Sequence, residues 1–137
     1  QKVLEVLEFL EILELKDKKV HQMSTGQLRR CIIGRALIHD PKAFILDEPT
    51  VGLDIKSQHS FIKLIQKLSK SASIIIVTHH IEEIFEEITH VALIHNKTIF
   101  KQGKKEDILT SKNLSEIFEI DIDLQKENER YYIKSIK

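Results

Sequence analysis

Apolar side chains crowd the first fifteen residues: Val3, Leu4, Val6, Leu7, Phe9, Leu10, Ile12, Leu13 and Leu15, with glutamates between them. Good helix formers dominate, so residues 3–15 predict one helix. Lys16-Asp17-Lys18-Lys19 is a polar break. Ser24 is placed to cap a second helix, from about Gly26 to Ile38. His39-Asp40-Pro41 ends it, because the residue before proline avoids the helical region. Ala43–Leu46 is a short apolar run before Asp47 and reads as a buried parallel strand. Ile55–Ser69 carries Phe61, Ile62, Ile65 and Leu68 at helical spacing. Ser73–Val77 is β-branched and reads as a second buried strand. Ile81–Ile88 predicts a short helix. Val91–Ile94 and Thr98–Lys101 flank His95-Asn96-Lys97 as a hairpin. Lys104–Leu109 and Leu114–Phe118 predict two short helices. Ile120–Leu124 and Tyr131–Ile136, on either side of the polar Gln125–Glu129, predict a terminal hairpin. Strands alternating with helices imply an α/β fold with a mostly parallel sheet and flanking helices.

Composition narrows the class. A chain of 137 residues allows one ordinary domain. Its 42% apolar and 31% charged content is that of a globular chain. Lys+Arg and Asp+Glu balance at 21 each, so charge gives no support for nucleic acid as a partner. A lone Cys31 excludes an internal disulfide and fits a reducing compartment. No apolar run approaches the ~20 residues of a membrane-spanning helix. The chain opens on Gln1 and its one methionine is Met23, which leads us to expect a fragment or processed product.

Two motifs carry chemistry. In Ser24-Thr25-Gly26-Gln27 a helix start offers unpaired N–H groups and the positive end of a helix dipole. Gly26 lacks a Cβ, so an anion can come close, and the Ser24 hydroxyl can donate to it; a terminal phosphate is the natural guest. Taken alone, an ordinary serine cap explains the same residues. Asp47-Glu48 ends an apolar strand, where α/β proteins bind ligands. Asp47 suits Mg²⁺, directly or through water, and Glu48 suits the orientation or deprotonation of a water. A solvated acidic turn is the plainer alternative. His79, after the second strand, could bond a phosphoryl group. Zinc is disfavoured, since there is neither a Cys pair nor a His-Glu-x-x-His spacing.

Three features get plain readings. Cys31 reads as a small core residue. Gly34 costs a helix interior ~1 kcal/mol relative to Ala, which implies close packing against a neighbour. Lys101-Gln102-Gly103-Lys104-Lys105 reads as a solvated turn. It is not a phosphate loop, and no Gly-x-x-x-x-Gly-Lys-Ser/Thr occurs anywhere in the sequence.

In this order and spacing the motifs resemble the ATP-binding cassette (ABC) ATPase family. Met23-Ser24-Thr25-Gly26-Gln27 resembles its signature motif, Ala43–Asp47 the Walker B strand, and Gly52-Leu53-Asp54 the D-loop. Glu48 falls on the catalytic carboxylate and His79 on the switch histidine. Arg29-Arg30 and Gly34-Arg35-Ala36-Leu37 also follow the pattern. Met23 and Thr25 stand where Leu and Gly are usual, and His80 replaces a common Asp. Thr78–Glu83 and the tail 109–118 are similar to cassettes of iron-complex or metal-complex importers.

The resemblance implies a partial P-loop NTPase core plus part of a helical subdomain. Residues 1–38 would end that subdomain, 39–110 would form the second half of the ATPase core, and 111–137 a C-terminal helix and hairpin. The adenine-stacking residue, Walker A and Q-loop should precede residue 1. It implies ATP and Mg²⁺ as ligands, with Ser24, Thr25, Gly26 and Gln27 reading the γ-phosphate of ATP held by a second cassette. Asp47 would hold magnesium, Glu48 position water, His79 contact the γ-phosphate and Asp54 link the two sites. The implied partners are a second ABC subunit and a transmembrane permease, with the protein peripheral on the cytoplasmic face of the membrane and no nucleic-acid partner. A soluble ABC ATPase acting on nucleic acid or ribosomes and a non-enzymatic interaction module are the alternatives. A sheet stripped of neighbours should expose an apolar face or edge and favour self-association.

Overall fold

The computed structural model describes residues 1–137. Contacts divide the chain into two compact units, Gln1–Thr78 and His79–Lys137.

The first unit opens with helix α1, Lys2–Phe9, shorter than the single helix expected over 3–15. Glu11 adopts a left-handed conformation (φ 57°) and stops it. The Ile12 N–H returns to the Leu7 carbonyl at 2.9 Å and the Glu11 N–H to Glu8 at 2.9 Å. This is a Schellman closure made with glutamate where glycine is usual. A 3₁₀ turn over Leu13–Leu15 follows. Helix α2 spans Thr25–Leu37, with Ser24 as its cap. Gly34 has the close neighbour its helix position implied: a Cβ there would meet Leu10 Cδ1 at 2.7 Å and Val6 Cγ1 at 3.4 Å. The α1–α2 contact is therefore set by a missing side chain.

Strands β1 (Ala43–Asp47) and β2 (Ser73–Val77) pair in parallel, with Asp47 opposite Val77. Helix α3, Ile55–Leu68, connects them and buries Phe61, Leu64, Ile65 and Leu68 at i, i+3, i+4 and i+7 spacing. The sheet is one-sided. Phe44 is buried and Leu46, Ile74 and Ile76 are half-buried, whereas Ile45, Ile75 and Val77 on the opposite face are exposed, Ile45 by 72%. Buried strands of a parallel sheet are apolar on both faces, and here both faces are apolar but one is covered. The exposed apolar face expected from the sequence is thus found on β1 and β2.

The second unit begins with a 3₁₀ turn, Ile81–Glu83, where a helix to Ile88 was expected. The turn ends at Ile84 in extended backbone, and the Phe85 and Glu86 carbonyls accept from the Lys105 ammonium, that of Phe85 also from the Ile88 N–H at 3.2 Å. Strands β3 (His90–His95) and β4 (Thr98–Lys104) form a hairpin whose turn residues Asn96 and Lys97 both have positive φ. Helices α4 (Lys105–Ile108) and α5 (Ser111–Phe118) lead to a second hairpin, β5 (Ile122–Glu127) and β6 (Arg130–Ile136). A core of Ile81, Leu93, Ile108, Leu109, Leu114, Ile122 and Tyr131 holds the unit together. The hairpin is anchored to α5: Ser115 Oγ accepts from the Ile122 N–H at 2.8 Å, and Ser111 Oγ from the Leu124 N–H at 3.0 Å. Two hydroxyls thereby satisfy an edge that an isolated hairpin would leave to water. The stretch read as a solvated turn, 101–105, is instead the end of β4 and the start of α4, and Lys105 is buried at 2% exposure. Parallel pairing joins β1 to β2; the other strands pair as antiparallel hairpins.

Candidate functional site

The start of α2 is built by a reciprocal cap. Ser24 Oγ accepts from the Gln27 N–H at 3.3 Å, and Gln27 Oε1 accepts from the Ser24 N–H at 3.0 Å. Two of the helix's orphan donors are satisfied this way. Thr25 is the first helical residue and is exposed, as is Ser24; Gly26 and Gln27 are half-buried. Gly26 lies against the loop before α3, where a Cβ would sit 3.7 Å from Leu53 Cδ2 and 3.9 Å from Ser57. The capping role is therefore observed, and Gly26 is neither sunk in the core nor remote from Gly52-Leu53-Asp54.

Asp47 is the last residue of β1 and is exposed; Glu48 follows it and is half-buried. The Glu48 N–H donates to the Val77 carbonyl at 2.8 Å, extending the strand pairing by one residue. Glu48 has φ 44°. Left-handed backbone costs a side-chain-bearing residue roughly 1–2 kcal/mol, and a residue before proline is normally extended. Such strain gathers at functional sites, held by the surrounding structure. Arg29 on α2 reaches this loop. Its guanidinium donates to the carbonyl of Glu48 (3.4 Å) and to those of Pro49 and Val51. Thr50, between them, is buried.

Asp54 caps α3. Its carboxylate accepts from the Ser57 N–H at 2.8 Å and the Ser57 hydroxyl at 2.9 Å. Those bonds, the backbone N–H first, hold its pKa below the ordinary carboxylate value. Arg30, beside Arg29, reaches the other way, to the Leu10 carbonyl at 2.6 Å and Ser60 Oγ at 2.5 Å. Successive arginines thus tie α2 to α1 and α3 on one side and to the loop after β1 on the other. Cys31 is half-buried, its thiol donating to Met23 Sδ at 3.6 Å, and desolvation raises its pKa. His79 opens the second unit and is exposed, its ring centroid 4.1 Å from that of His80.

Sequence reasoning found the caps, because Ser-x-x-Gln before a helical run is a local signal. It assigned no role to Arg29, whose partners are backbone carbonyls 19–22 residues away. The hard oxygens of Asp47 and Glu48 at a strand end fit a magnesium ion in chemistry, and the exposed start of α2 fits a phosphate.

The capping and phosphate roles of Ser24 are separable. Ser24→Ala should cost about 1 kcal/mol in urea denaturation. Ser24→Asp should preserve stability, because Asp caps as well as Ser, yet repel an anion at the helix start. If Ser24→Asp binds a phosphate-bearing ligand as tightly as the parent, the serine is a cap and nothing more.

A family model described as ABC transporter matches residues 1–51. The manganese transport system ATP-binding protein MntA of Synechocystis is 35% identical over 117 residues, covering 85% of this chain and 45% of that protein. The energy-coupling factor transporter ATP-binding protein EcfA2 of Bacillus cereus is 34% identical over 105 residues, covering 75% of this chain and 35% of that protein. An inward-facing structure described as a metal-chelate type ABC transporter superposes with a TM-score of 0.85 at 25% identity, covering all of this chain and 55% of its own. CbiO1 of Clostridium perfringens, part of the ABC transporter complex cbiONQ, gives 0.72 at 32% identity over 84% of this chain and 47% of its own. The fold is that of part of a P-loop NTPase core of the ABC type. Family match, relatives and structures together support a C-terminal segment of an ABC-transporter ATPase. The chain spans between about a third and just over half of the length of these proteins.

Proposed function

We propose that this chain supplies the second half of the nucleotide-binding core of an ATP-hydrolysing subunit that powers an ABC transporter. Residues 1–38 would end its helical subdomain, 39–110 complete the core, and 111–137 cap it. One observation carries the reading. The loop that begins at Glu48 is tied through Arg29 to the helix that begins at Ser24. Acidic strand end and anion-facing helix start therefore share one framework.

Phosphoryl transfer needs positioning and charge stabilisation more than covalent help. Asp47 would offer a carboxylate oxygen to Mg²⁺, which when bound neutralises charge on the phosphates. Glu48 would accept a proton from, or orient, the attacking water. Ser24, Thr25, Gly26 and Gln27 would face the γ-phosphate of ATP held by a second subunit. Gly26 and the Ser24 hydroxyl would supply the donors there. His79 would donate to the γ-phosphate, and Asp54, at the head of α3, would relay between the two sites. A permease would take up the resulting motion, with the subunit on the cytoplasmic face of the membrane. MntA is named for manganese and the structure above for a metal chelate, which favours a metal or metal complex as cargo.

The sequence contains no Gly-x-x-x-x-Gly-Lys-Ser/Thr loop. The 137-residue chain alone is therefore expected to show no magnesium-dependent ATP turnover, while a subunit joining it to such a loop should hydrolyse ATP. Turnover by the chain alone would break the division of labour. Failure of the joined subunit to bind or hydrolyse ATP would break the functional reading.

A further inference from the structure

We propose that Arg29 is a positioning residue that holds Glu48 in its left-handed backbone and couples the loop 48–53 to the start of α2. Two independent observations meet here. Glu48, a side-chain-bearing residue before proline, sits at φ 44°, where neither its Cβ nor the following proline favours it. One guanidinium on α2 binds three carbonyl groups of this loop, those of Glu48, Pro49 and Val51. A planar fork of five donors is suited to that task; an ammonium ion, as a point charge, is not. On the same helix, about one turn earlier, Gly26 abuts Leu53 and Ser57. A displacement at the helix start is thus passed to the loop by Arg29 and by Leu53. The inference rests on the ATPase reading only for its consequence, that an anion at Gly26 is felt at the Glu48 backbone.

Amide hydrogen exchange in the 137-residue chain tests it. The informative amides are Glu48, Val51 and Leu53, whose N–H groups bond to Val77, Glu48 and Thr50. Leu64, Ile65 and Leu68 in α3 serve as the fold reference. Arg29→Met should speed exchange at the three loop amides roughly tenfold, the scale of a lost charge-assisted bond, and leave α3 unchanged. Arg29→Lys should recover part of the protection. In the Glu48→Gly background the left-handed conformation needs no restraint, so Arg29→Met should change loop exchange less than about threefold there. In a turnover-competent subunit, Arg29→Lys should lower kcat at unchanged KM.

Unchanged loop exchange in Arg29→Met would overturn the proposal. An Arg29 effect equally large in the Glu48→Gly background would overturn it too. If Arg29→Met unravels α3, the Arg29→Lys comparison and the glycine background decide by the same criteria. ATP enters none of the exchange measurements, so they stand even if the subunit proves not to hydrolyse ATP.

Discussion

Glu48→Gln, in a subunit that joins this chain to a phosphate-binding loop, should lower ATP turnover about 100-fold or more while nucleotide still binds. General-base or water-orienting groups contribute on that scale. The substitution keeps the shape and the Cβ, so the backbone constraint described above is untouched. It removes only the charge and the proton-accepting oxygen. Steady-state turnover and equilibrium ATP binding read the two effects separately. On the proposed function, in which ATP would hold two subunits together and its loss would let them part, Glu48→Gln should also accumulate the ATP-bound dimer, visible by size-exclusion chromatography. Asp47→Asn should behave differently, shifting the magnesium requirement upward. Turnover within threefold of the parent in Glu48→Gln would remove Glu48 from the reaction and with it the assignment of the strand end as the catalytic edge.

Legibility in the sequence followed the range of the interactions. Helix α3 matched its apolar pattern because burial on one face is written into residue spacing, and β1 and β2 formed where continuous apolar runs predict strands, with one face exposed rather than buried. Ser24 and Gln27 were readable for the same reason: both ends of the cap lie within four residues. The end of α1 was not readable. A glutamate, Glu11, fills the left-handed position where glycine would have signalled a stop. The span 81–88 was misread because its apolar residues suit a helix. Its carbonyls, however, are taken by a lysine 19–20 residues further on. Glu48 illustrates both cases. Its identity and place after an apolar strand were visible, but its backbone conformation and its dependence on Arg29 were not. Neither leaves a local pattern.

Lys105→Met should destabilise the chain by about 2 kcal/mol, and Lys105→Ala by more. The lysine looks exchangeable in the sequence, one of four cations in 97–105, yet it is almost fully buried. Its ammonium donates to the carbonyls of Phe85 (3.3 Å) and Glu86 (2.9 Å), and its own N–H to that of Thr89 (2.9 Å). It therefore organises an irregular segment that neither sheet nor helix supports. Two opposing terms decide the outcome. Removing a buried charge returns its desolvation cost, several kcal/mol. Without the ammonium the Phe85 carbonyl keeps the Ile88 N–H at 3.2 Å, while the Glu86 carbonyl loses its donor at a cost of about 1–3 kcal/mol, and hydrogen bonds to a charge are among the stronger ones. Methionine preserves most of the stem's volume, so the comparison isolates the ammonium; alanine adds a cavity where the buried stem lay. We expect loss of the charged donor to win, because the Glu86 carbonyl sits in a segment with no ladder in which to find a new partner. Urea denaturation gives the magnitude, and amide exchange at Ile88 gives the location. If Lys105→Met is as stable as the parent or more so, desolvation outweighs the bonds, and the segment is held by the packing of Ile81 and Phe85 rather than by the lysine.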